Sequence, residues 1–210
     1  HFWGEHLPTS DAVAVGVIGA EMADIAGYAP RFVERYAPEA VVLTGGENDF
    51  LASRSPADIL THMKEAVAAI PKDTRILYLG TKPEPVAGRF LEGYLKYDKL
   101  VRDFIDTTPN VVYINNQRDM QSDDLYRWDG LHLSKQGYEN LNRKVNVLMR
   151  PGLPLLDARR LGMDMSEVCP KVAPSPAGEG EGEVCQMPAL PEKPHKEARA
   201  VEVVVEGVPV

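Results

Sequence analysis

Two residues in a polar stretch have the types and spacing of an acid–base pair. Asp129 stands three residues before His132. A carboxylate at that spacing can hydrogen-bond the imidazole, hold its tautomer and stabilise the imidazolium, as a general base in acyl transfer requires. The competing interpretation is an Asp-Gly turn followed by an incidental histidine. The spacing makes Asp129 and His132 candidate catalytic residues.

A second segment, Gly46-Glu47-Asn48-Asp49, follows a valine-rich run. The amide of Asn48 could donate a hydrogen bond to an oxyanion, and Gly46 would let a substrate approach the backbone. Asn48 and Asp49 could equally be local caps of a polar turn. Metal binding by Glu47 and Asp49 is a third interpretation, although these alternate residues supply only two ligands. The segment is therefore a candidate site with its chemistry still open.

A third segment, Gly16-Val17-Ile18-Gly19, also follows a valine-rich run. A backbone N–H at Gly19 could complete an oxyanion hole. The same stretch, read as Ala14-x-Gly16-x-x-Gly19, is one glycine short of a dinucleotide-binding fingerprint. That fingerprint needs an acidic residue about 20 positions on for a ribose hydroxyl. The next valine-rich run instead ends in glycine, which disfavours a dinucleotide site.

Hydrophobic periodicity predicts the elements that must position these segments. Ser55 can cap a helix that begins at Pro56, and Ser134 can cap the last helix. Pro30 is expected to divide the first helical stretch, because proline is tolerated only in a first turn. The predicted strands are Asp11–Val17, Glu39–Thr44, Thr74–Leu79 and Asn110–Ile114. The predicted helices cover 21–36, 56–70, 88–107 and 134–149.

Strands that alternate with helices predict an α/β fold, a doubly wound parallel sheet with helices on both faces. Folds of this kind place their sites in loops at the carboxyl ends of the strands. Those loops include 16–24, 45–51 and the long loop that ends at His132. All three candidate segments therefore lie where a site is expected.

Composition divides the chain into two parts. The 15 aromatic residues (5 Phe, 2 Trp and 8 Tyr) all lie at or before Tyr138, whereas Pro151–Val210 holds 9 of the 17 prolines. We therefore predict a domain over 1–150 and a low-complexity, disordered tail over 151–210. Within that tail, Ala200–Val208 is expected to form at most a weak edge strand. Cys169 and Cys185 could close a loop there or stay free.

Charge and residue counts set aside several classes of protein. The formal net charge of −8 argues against a general nucleic-acid binder, which usually carries a basic face. No run approaches the ~18 apolar residues that suggest a transmembrane helix. The two cysteines cannot build a disulfide scaffold or a four-cysteine zinc site.

Taken in order, the three segments resemble conserved blocks of the SGNH (GDSL-type) hydrolases, a family of serine esterases and acyl hydrolases. VGVIGAEMAD is similar to the second block, GEND to the third and DGLHLSKQGY to the fifth. The opening HFW and the phrase ILYLGTKPEP resemble the bacterial lysophospholipase-like branch. The resemblance covers 1–150 and implies a flavodoxin-like, three-layer fold.

The resemblance also implies roles for individual residues. Gly19 would donate its backbone N–H, and Asn48 its side-chain amide, to the oxyanion. His132 would be the general base, oriented by Asp129. The supporting residues would be Gly16, Gly46 and Asp49. The implied reaction is hydrolysis of a small-molecule or lipid carboxylic ester through an acyl-enzyme, with no metal and no organic cofactor.

The first block of the family, a strand that ends in Gly-Asp-Ser and carries the nucleophile, has no counterpart here. Ser10 precedes the second block, but Pro8-Thr9-Ser10-Asp11 is a turn that leads into a strand. In the family, residues resembling HFW come just after the nucleophile. We therefore expect the first strand and its serine to be missing. The chain as it stands is then expected to be inactive and less stable than its intact parent.

A non-catalytic pseudo-hydrolase that binds an ester, an acyl group or a glycan is the alternative interpretation. In that protein Asn48 and Gly19 would serve as binding donors. On either interpretation no nucleic-acid partner and no transmembrane segment are expected. The sequence indicates neither the oligomeric state nor the compartment.

Overall fold

A computed structural model describes residues 12–150 and 152–164, together with the backbone of 200–203. The interpretations of the HFW opening, Ser10, Cys169 and Cys185 lie outside these described residues. The elements are β1 (Val13–Val15), α1 (Met22–Tyr36), β2 (Ala40–Thr44), α2 (Glu47–Leu51), α3 (Pro56–Ala68), β3 (Arg75–Leu79), a 3-10 turn (Pro85–Phe90), α4 (Leu91–Ile105), β4 (Val111–Ile114), α5 (Asn116–Asp119), a 3-10 turn (Asp123–Leu125), α6 (Lys135–Leu148), α7 (Leu155–Met163) and β5 (Ala200–Val203). Among the described helices, none has the length and apolar composition needed to cross a bilayer.

The strands form one sheet in the order β1-β5-β2-β3-β4. Every neighbouring pair runs parallel. Because the strands are parallel, their carboxyl ends lie along one edge, and the loops that follow them share that edge. The predicted parallel α/β sheet is confirmed.

Alternate residues of the central strands pack into two separate apolar cores, because successive side chains of a strand point to opposite faces. One core contains strand residues Val41, Leu43, Ile76, Tyr78, Val111 and Tyr113 together with buried residues of α1, α3 and α4. The other contains strand residues Val42, Leu77, Leu79, Val112 and Ile114 together with buried residues of α6 and α7. Helices therefore cover both faces of the sheet, which confirms the predicted three layers.

Two helix starts follow directly from local sequence. The Ser55 hydroxyl accepts a hydrogen bond from the Asp58 N–H at 3.2 Å, and Pro56 occupies the first turn of α3. The Ser134 hydroxyl accepts from the Gly137 N–H at 3.1 Å at the start of α6. Both predicted caps are confirmed.

Helix α1 differs from the prediction, because it runs through Pro30 without a break. A proline in a helix removes one N–H donor and leaves a carbonyl of the preceding turn without its partner. Pro30 is exposed, so water can satisfy that carbonyl. The expected division at Pro30 is therefore wrong.

Helix α7 lies in a part of the chain where the sequence predicted no element. Ala158 of this helix is fully buried, and the Asn115 N–H donates to the Gly162 carbonyl at 2.9 Å. A Cβ atom at Gly162 would overlap the Tyr113 carbonyl, so glycine allows the helix to lie directly on β4. The folded core therefore continues past residue 150.

Strand β5 also differs from the expectation of an edge strand. Val201 is in register with Val13 of β1 on one side and with Val41 of β2 on the other. Ladder partners on both sides make β5 an interior strand, and it joins β1 to the rest of the sheet. The expected edge position is therefore wrong.

Candidate active site

Asp129 and His132 contact one another directly. Asp129 Oδ2 lies 2.8 Å from His132 Nδ1, and Asp129 Oδ1 accepts the N–H groups of Leu131 and His132, both at 2.9 Å. Partial burial raises the pKa of Asp129, but these N–H groups and the imidazole outweigh it and lower that pKa to about 2. The carboxylate is therefore ionised at neutral pH and can only accept, so His132 Nδ1 must donate. Nε2 is thereby left to exchange a proton, and the His132 side chain is 40% exposed.

A short hairpin, residues 126–133, presents this pair. Tyr126 and Leu133 form an antiparallel bridge, and the Arg127 N–H donates to the His132 carbonyl at 2.7 Å. Gly130 turns the chain with a φ of +65°, and a Cβ atom there would lie 2.9 Å from Val86 Cγ1. Both the left-handed backbone and the close neighbour require glycine. The 126–133 hairpin thus holds Asp129 and His132 in a defined geometry.

Helix α2 positions Asn48. Gly46 precedes the helix with a φ of +112°, and a Cβ atom there would lie 2.8 Å from Tyr97 Cε1. The Asn48 Nδ2 donates to the Ala20 carbonyl at 2.9 Å, across 28 residues of sequence. A primary amide has two N–H groups, so this bond fixes the amide plane while the second N–H can face a ligand. Asn48 therefore joins α2 to the loop that carries Gly19.

Asp49 makes the second connection between α2 and that loop. Its Oδ2 accepts the Met22 N–H at 2.9 Å, at the start of α1, and the residue is 1% exposed. Burial raises the pKa of Asp49 to about 6, although the Met22 hydrogen bond opposes that shift. Gly16 is exposed directly after β1, and Gly19 lies in the following turn with a φ of +70°. No described residue accepts a hydrogen bond from the Gly19 N–H.

A partly buried ionic cluster of Glu47, Lys82 and Glu84 connects the start of α2 to the loop after β3. Lys82 Nζ lies 3.2 Å from Glu47 Oε1 and 3.1 Å from Glu84 Oε1, and the Lys82 N–H also donates to Glu47 at 3.2 Å. The Glu84 side chain is only 3% exposed, and burial raises its pKa while Lys82 opposes the shift. The Val86 N–H donates to the Gly130 carbonyl at 3.4 Å. The 82–86 segment therefore touches both α2 and the 126–133 hairpin.

From sequence, the region around Lys82 was used only as part of the ILYLGTKPEP resemblance, and this cluster was not predicted. Its sole signal was the charged pattern Lys-Pro-Glu at 82–84, shortly after a predicted strand. Glu47, one of the two residues weighed as metal ligands, is paired with Lys82, whereas Asp49 faces Met22. Across 12–150 and 152–164, no group of three or more His, Cys, Asp or Glu side chains is arranged to hold a metal ion.

The hydroxyl groups of Ser55 and Ser134 have hydrogen-bond partners other than His132. Ser55 Oγ donates to Asp58 at 2.7 Å, and Ser134 Oγ donates to the Asp124 carbonyl at 2.7 Å. Within the described residues, no serine hydroxyl hydrogen-bonds His132. The candidate site therefore pairs an imidazole with a carboxylate, and within the described residues no serine hydroxyl joins them.

Asp98, on α4, holds the start of the 82–86 segment. Its carboxylate accepts the Thr81 N–H at 3.1 Å and the Thr81 hydroxyl at 2.9 Å, and the residue is completely buried. Burial raises the pKa of Asp98 to about 6, although the hydrogen bonds from Thr81 lower it. A carboxyl group whose pKa is raised on folding stabilises the folded state at low pH. That contribution is lost as pH rises from the unfolded pKa to the folded one.

Asp98→Asn should therefore remove a pH-dependent part of the stability. We expect the free energy of unfolding of the original protein, relative to the variant, to fall by about 2–3 kcal/mol between pH ~4 and ~7. Urea unfolding at these two pH values measures the difference. Asp103→Asn, an exposed position on the same helix, is the control and should give no comparable change. A pH-independent difference for Asp98→Asn would contradict the assignment.

Comparisons with known proteins agree with this architecture. The family 3 carbohydrate esterase of Clostridium thermocellum is 20% identical, with a TM-score of 0.50, over 61% of this chain and 67% of that chain. A carbohydrate esterase family 3 protein from Talaromyces cellulolyticus is 17% identical, with a TM-score of 0.54, over 62% and 68%. An acetyl esterase mutant with acetate ion gives the same values, namely 17% identity, a TM-score of 0.54, and 62% and 68% coverage. At these identities the likeness establishes the fold.

The sequence itself shows the family. No curated protein matches the chain. Residues 1–139 match the GDSL-like Lipase/Acylhydrolase family, and this range includes the Gly19 loop, Asn48 and the 126–133 hairpin. The chain therefore belongs to the GDSL-like lipase/acylhydrolase family, the SGNH-type carboxylic ester hydrolases.

Proposed function

We propose that this chain carries the base and the oxyanion donors of a serine hydrolase that cleaves small-molecule carboxylic esters. The observation that supports it most directly is the 2.8 Å contact between Asp129 Oδ2 and His132 Nδ1. This contact fixes the tautomer in which Nε2 can accept a proton from a nucleophile. Asp129 also stabilises the imidazolium that then forms.

Gly19 and Asn48 are the proposed oxyanion donors. The hydrogen bond from Asn48 to the Ala20 carbonyl supports this assignment, because it brings the amide to the residue that follows Gly19. Backbone and amide N–H groups that are fixed before reaction stabilise the developing negative charge without reorganising. Gly16, Gly46 and Asp49 then act by shaping the two loops that present the donors.

The nucleophile is a serine that a strand other than β5 supplies. The described serines support this view, because none of them hydrogen-bonds His132. Strand β5 lies between β1 and β2, and the sequence after it reads Val-Val-Glu-Gly-Val-Pro-Val, without a hydroxyl or a thiol. The carboxyl end of a serine-bearing strand placed between β1 and β2, where β5 lies here, would be beside the Gly19 loop and α2. The chain as it stands is accordingly proposed to be inactive.

The reaction proceeds in two steps once the serine is present. The serine oxygen attacks the ester carbonyl, His132 takes the serine proton, and the oxyanion is held by Gly19 and Asn48. The tetrahedral species expels the alcohol, which receives that proton from His132. Water, deprotonated by His132, then attacks the acyl-enzyme and releases the carboxylic acid and the free serine.

The test is to extend the chain at its amino terminus with an apolar strand that ends in Gly-Asp-Ser. The extended protein and the original chain are assayed with p-nitrophenyl acetate and p-nitrophenyl butyrate. We expect turnover in the extended protein and none above background in the original. A folded extended protein without activity would contradict the proposal. His132-dependent activity in the original chain would also contradict the proposal. Loss of that activity in Ser10→Ala would then identify Ser10 as the nucleophile.

A protein that binds an ester without cleaving it is the second candidate. The absence of a nucleophile contact at His132, within the described residues, is the observation that favours it. In that case the extended protein would bind the p-nitrophenyl esters but would not release p-nitrophenol. The same assay therefore separates the two functions.

A further inference from the structure

Lys82 lies between the two halves of the candidate site. On one side, Glu47 begins α2 directly before Asn48, and its Oε1 accepts hydrogen bonds from both the N–H and the Nζ of Lys82, each at 3.2 Å. On the other side, the Lys82 Nζ lies 3.1 Å from Glu84 Oε1. One ammonium group therefore contacts a carboxylate of the helix that carries Asn48 and a carboxylate of the 82–86 segment.

The 82–86 segment extends this connection to the 126–133 hairpin. The Val86 N–H donates to the Gly130 carbonyl at 3.4 Å, and a Cβ atom at Gly130 would lie 2.9 Å from Val86 Cγ1. Gly130 directly follows Asp129, which holds the imidazole. A displacement of the 82–86 segment would therefore disturb the turn that presents Asp129.

Helix α4 keeps Glu84 in place. The Tyr94 hydroxyl donates to Glu84 Oε2 at 3.1 Å, so the two oxygens of this carboxylate have different partners. The Glu84 side chain is 3% exposed and that of Lys82 is 15% exposed, so water and salt screen their attraction little. Lys82 thus joins an anchored carboxylate to the start of α2.

Stability alone does not explain a charged group at this position. Taking an ammonium and two carboxylates out of water is costly, and apolar residues of similar volume often stabilise a fold as well or better. Charged hydrogen bonds add direction, because each one fixes the relative position of the atoms that it joins. The ionic cluster is therefore better explained by the geometry that it imposes than by the stability that it contributes.

We propose that Lys82 is a positioning residue that sets the spacing between the oxyanion donor on α2 and the base on the 126–133 hairpin. This inference rests on the proposed function, because that spacing matters only where Asn48 and His132 act on one ester. A misplacement of about 1 Å in an active site can lower the rate about 10²-fold. Lys82 contacts neither the ester nor the nucleophile in this proposal, and it acts through the two elements that it joins.

Amide hydrogen exchange of the full chain tests the coupling without requiring hydrolysis. The Ala52 N–H reports on α2, the Arg127 N–H on the hairpin and the Ile76 N–H on the central sheet, because each donates to a backbone carbonyl there. In Lys82→Met we expect the first two amides to exchange about tenfold faster or more, as the loss of a charged hydrogen bond implies, and the third to keep its rate. An unchanged rate at either of the first two amides, or an equal acceleration of all three, would overturn the inference.

Lys99→Met is the matched control. Lys99, on α4, also pairs with a carboxylate, at 2.6 Å from Asp103 Oδ2, but its side chain is 67% exposed. This replacement should leave all three exchange rates unchanged. If Lys82→Met does not fold, Lys82→Met/Glu84→Gln also removes the buried carboxylate left without its partner, and its three rates decide in the same way.

Kinetics of the serine-bearing protein supply the second measurement. In Lys82→Met we expect kcat per active site for p-nitrophenyl acetate to fall about 10²-fold with little change in KM, and Lys82→Arg should recover part of the loss. A purely structural role would lower the number of active sites counted by the burst, without lowering kcat per site. An unchanged kcat per site in Lys82→Met, or equal losses in the two variants, would overturn the inference.

The two proposals fail in different ways. If the serine-bearing protein is inactive but Lys82→Met speeds exchange in both α2 and the hairpin, the hydrolytic proposal is wrong and the coupling of the two elements stands. If that protein cleaves p-nitrophenyl acetate with the same kcat in Lys82→Met, the positioning role is wrong and the hydrolytic proposal stands.

Discussion

Replacing His132 by alanine in the serine-bearing protein is expected to lower kcat for p-nitrophenyl acetate by about 10⁶-fold. Alanine leaves no group to take the serine proton, so the neutral hydroxyl must attack the ester unaided. The oxyanion donors and substrate binding would remain, which should leave about 10³–10⁴-fold acceleration over water. Initial rates at saturating ester, with active sites counted by a burst of p-nitrophenol, measure this loss.

His62→Ala is the matched control for that experiment. His62 also contacts a carboxylate three residues away, with Nδ1 2.9 Å from Glu65 Oε2, but it lies on α3. Its removal should leave kcat within a factor of about two, since a surface substitution rarely changes stability by more than ~0.5 kcal/mol. Equal losses from both replacements would mean that the effect is general destabilisation. An unchanged rate in the His132 variant would exclude it as the base.

Asp129→Asn is the second large effect, and we expect kcat to fall about 10⁴-fold with little change in KM. The asparagine oxygen can still accept the N–H groups of Leu131 and His132, so the hairpin is retained. Its NH₂ group then faces His132 Nδ1, which must become an acceptor. The single proton of the neutral imidazole then lies on Nε2, so Nε2 cannot accept the proton of the serine hydroxyl. The histidine is in place but in the wrong tautomer.

The pH dependence checks the same assignment. Because the pKa of Asp129 is about 2, its carboxylate is ionised throughout an assay range of about pH 5–9. Asp129 should therefore contribute no limb to the rate profile in that range. Asp124→Asn, at an exposed acidic position before the hairpin, is the control and should retain activity. Retention of full activity by Asp129→Asn would contradict the tautomer argument.

Local features of the structure could be predicted from sequence. The Ser55 and Ser134 caps act within three residues, as does the contact between Asp129 and His132. Strands β2, β3 and β4 each lie within the predicted runs, because a buried parallel strand is a continuous apolar segment. Short-range geometry is encoded in neighbouring residues, so reading it requires no knowledge of the fold.

Contacts between distant segments could not be predicted in this way. The Asn48–Ala20 hydrogen bond spans 28 residues and the Lys82–Glu47 pair spans 35. Both depend on how neighbouring strands bring their loops together, which no local pattern specifies. Helix α7 was missed because it follows Pro151 and Pro154 in the part of the chain without aromatic residues, although it packs on β4 through Ala158 and Gly162. In these cases packing decided the outcome over local preference.

The interior position of β5 sets an order of events for the newborn chain. Strands β2, β3 and β4 can pair as soon as residues 40–114 have emerged, because their connections are short and helical. Strand β1 emerges earlier, yet it reaches the sheet through residues 200–203, which are synthesised much later. At about 5–20 residues per second, β1 waits on the order of ten seconds or more for its neighbour. The sheet therefore closes only after residues 200–203 have emerged, and until then the edge of β2 is open to other chains.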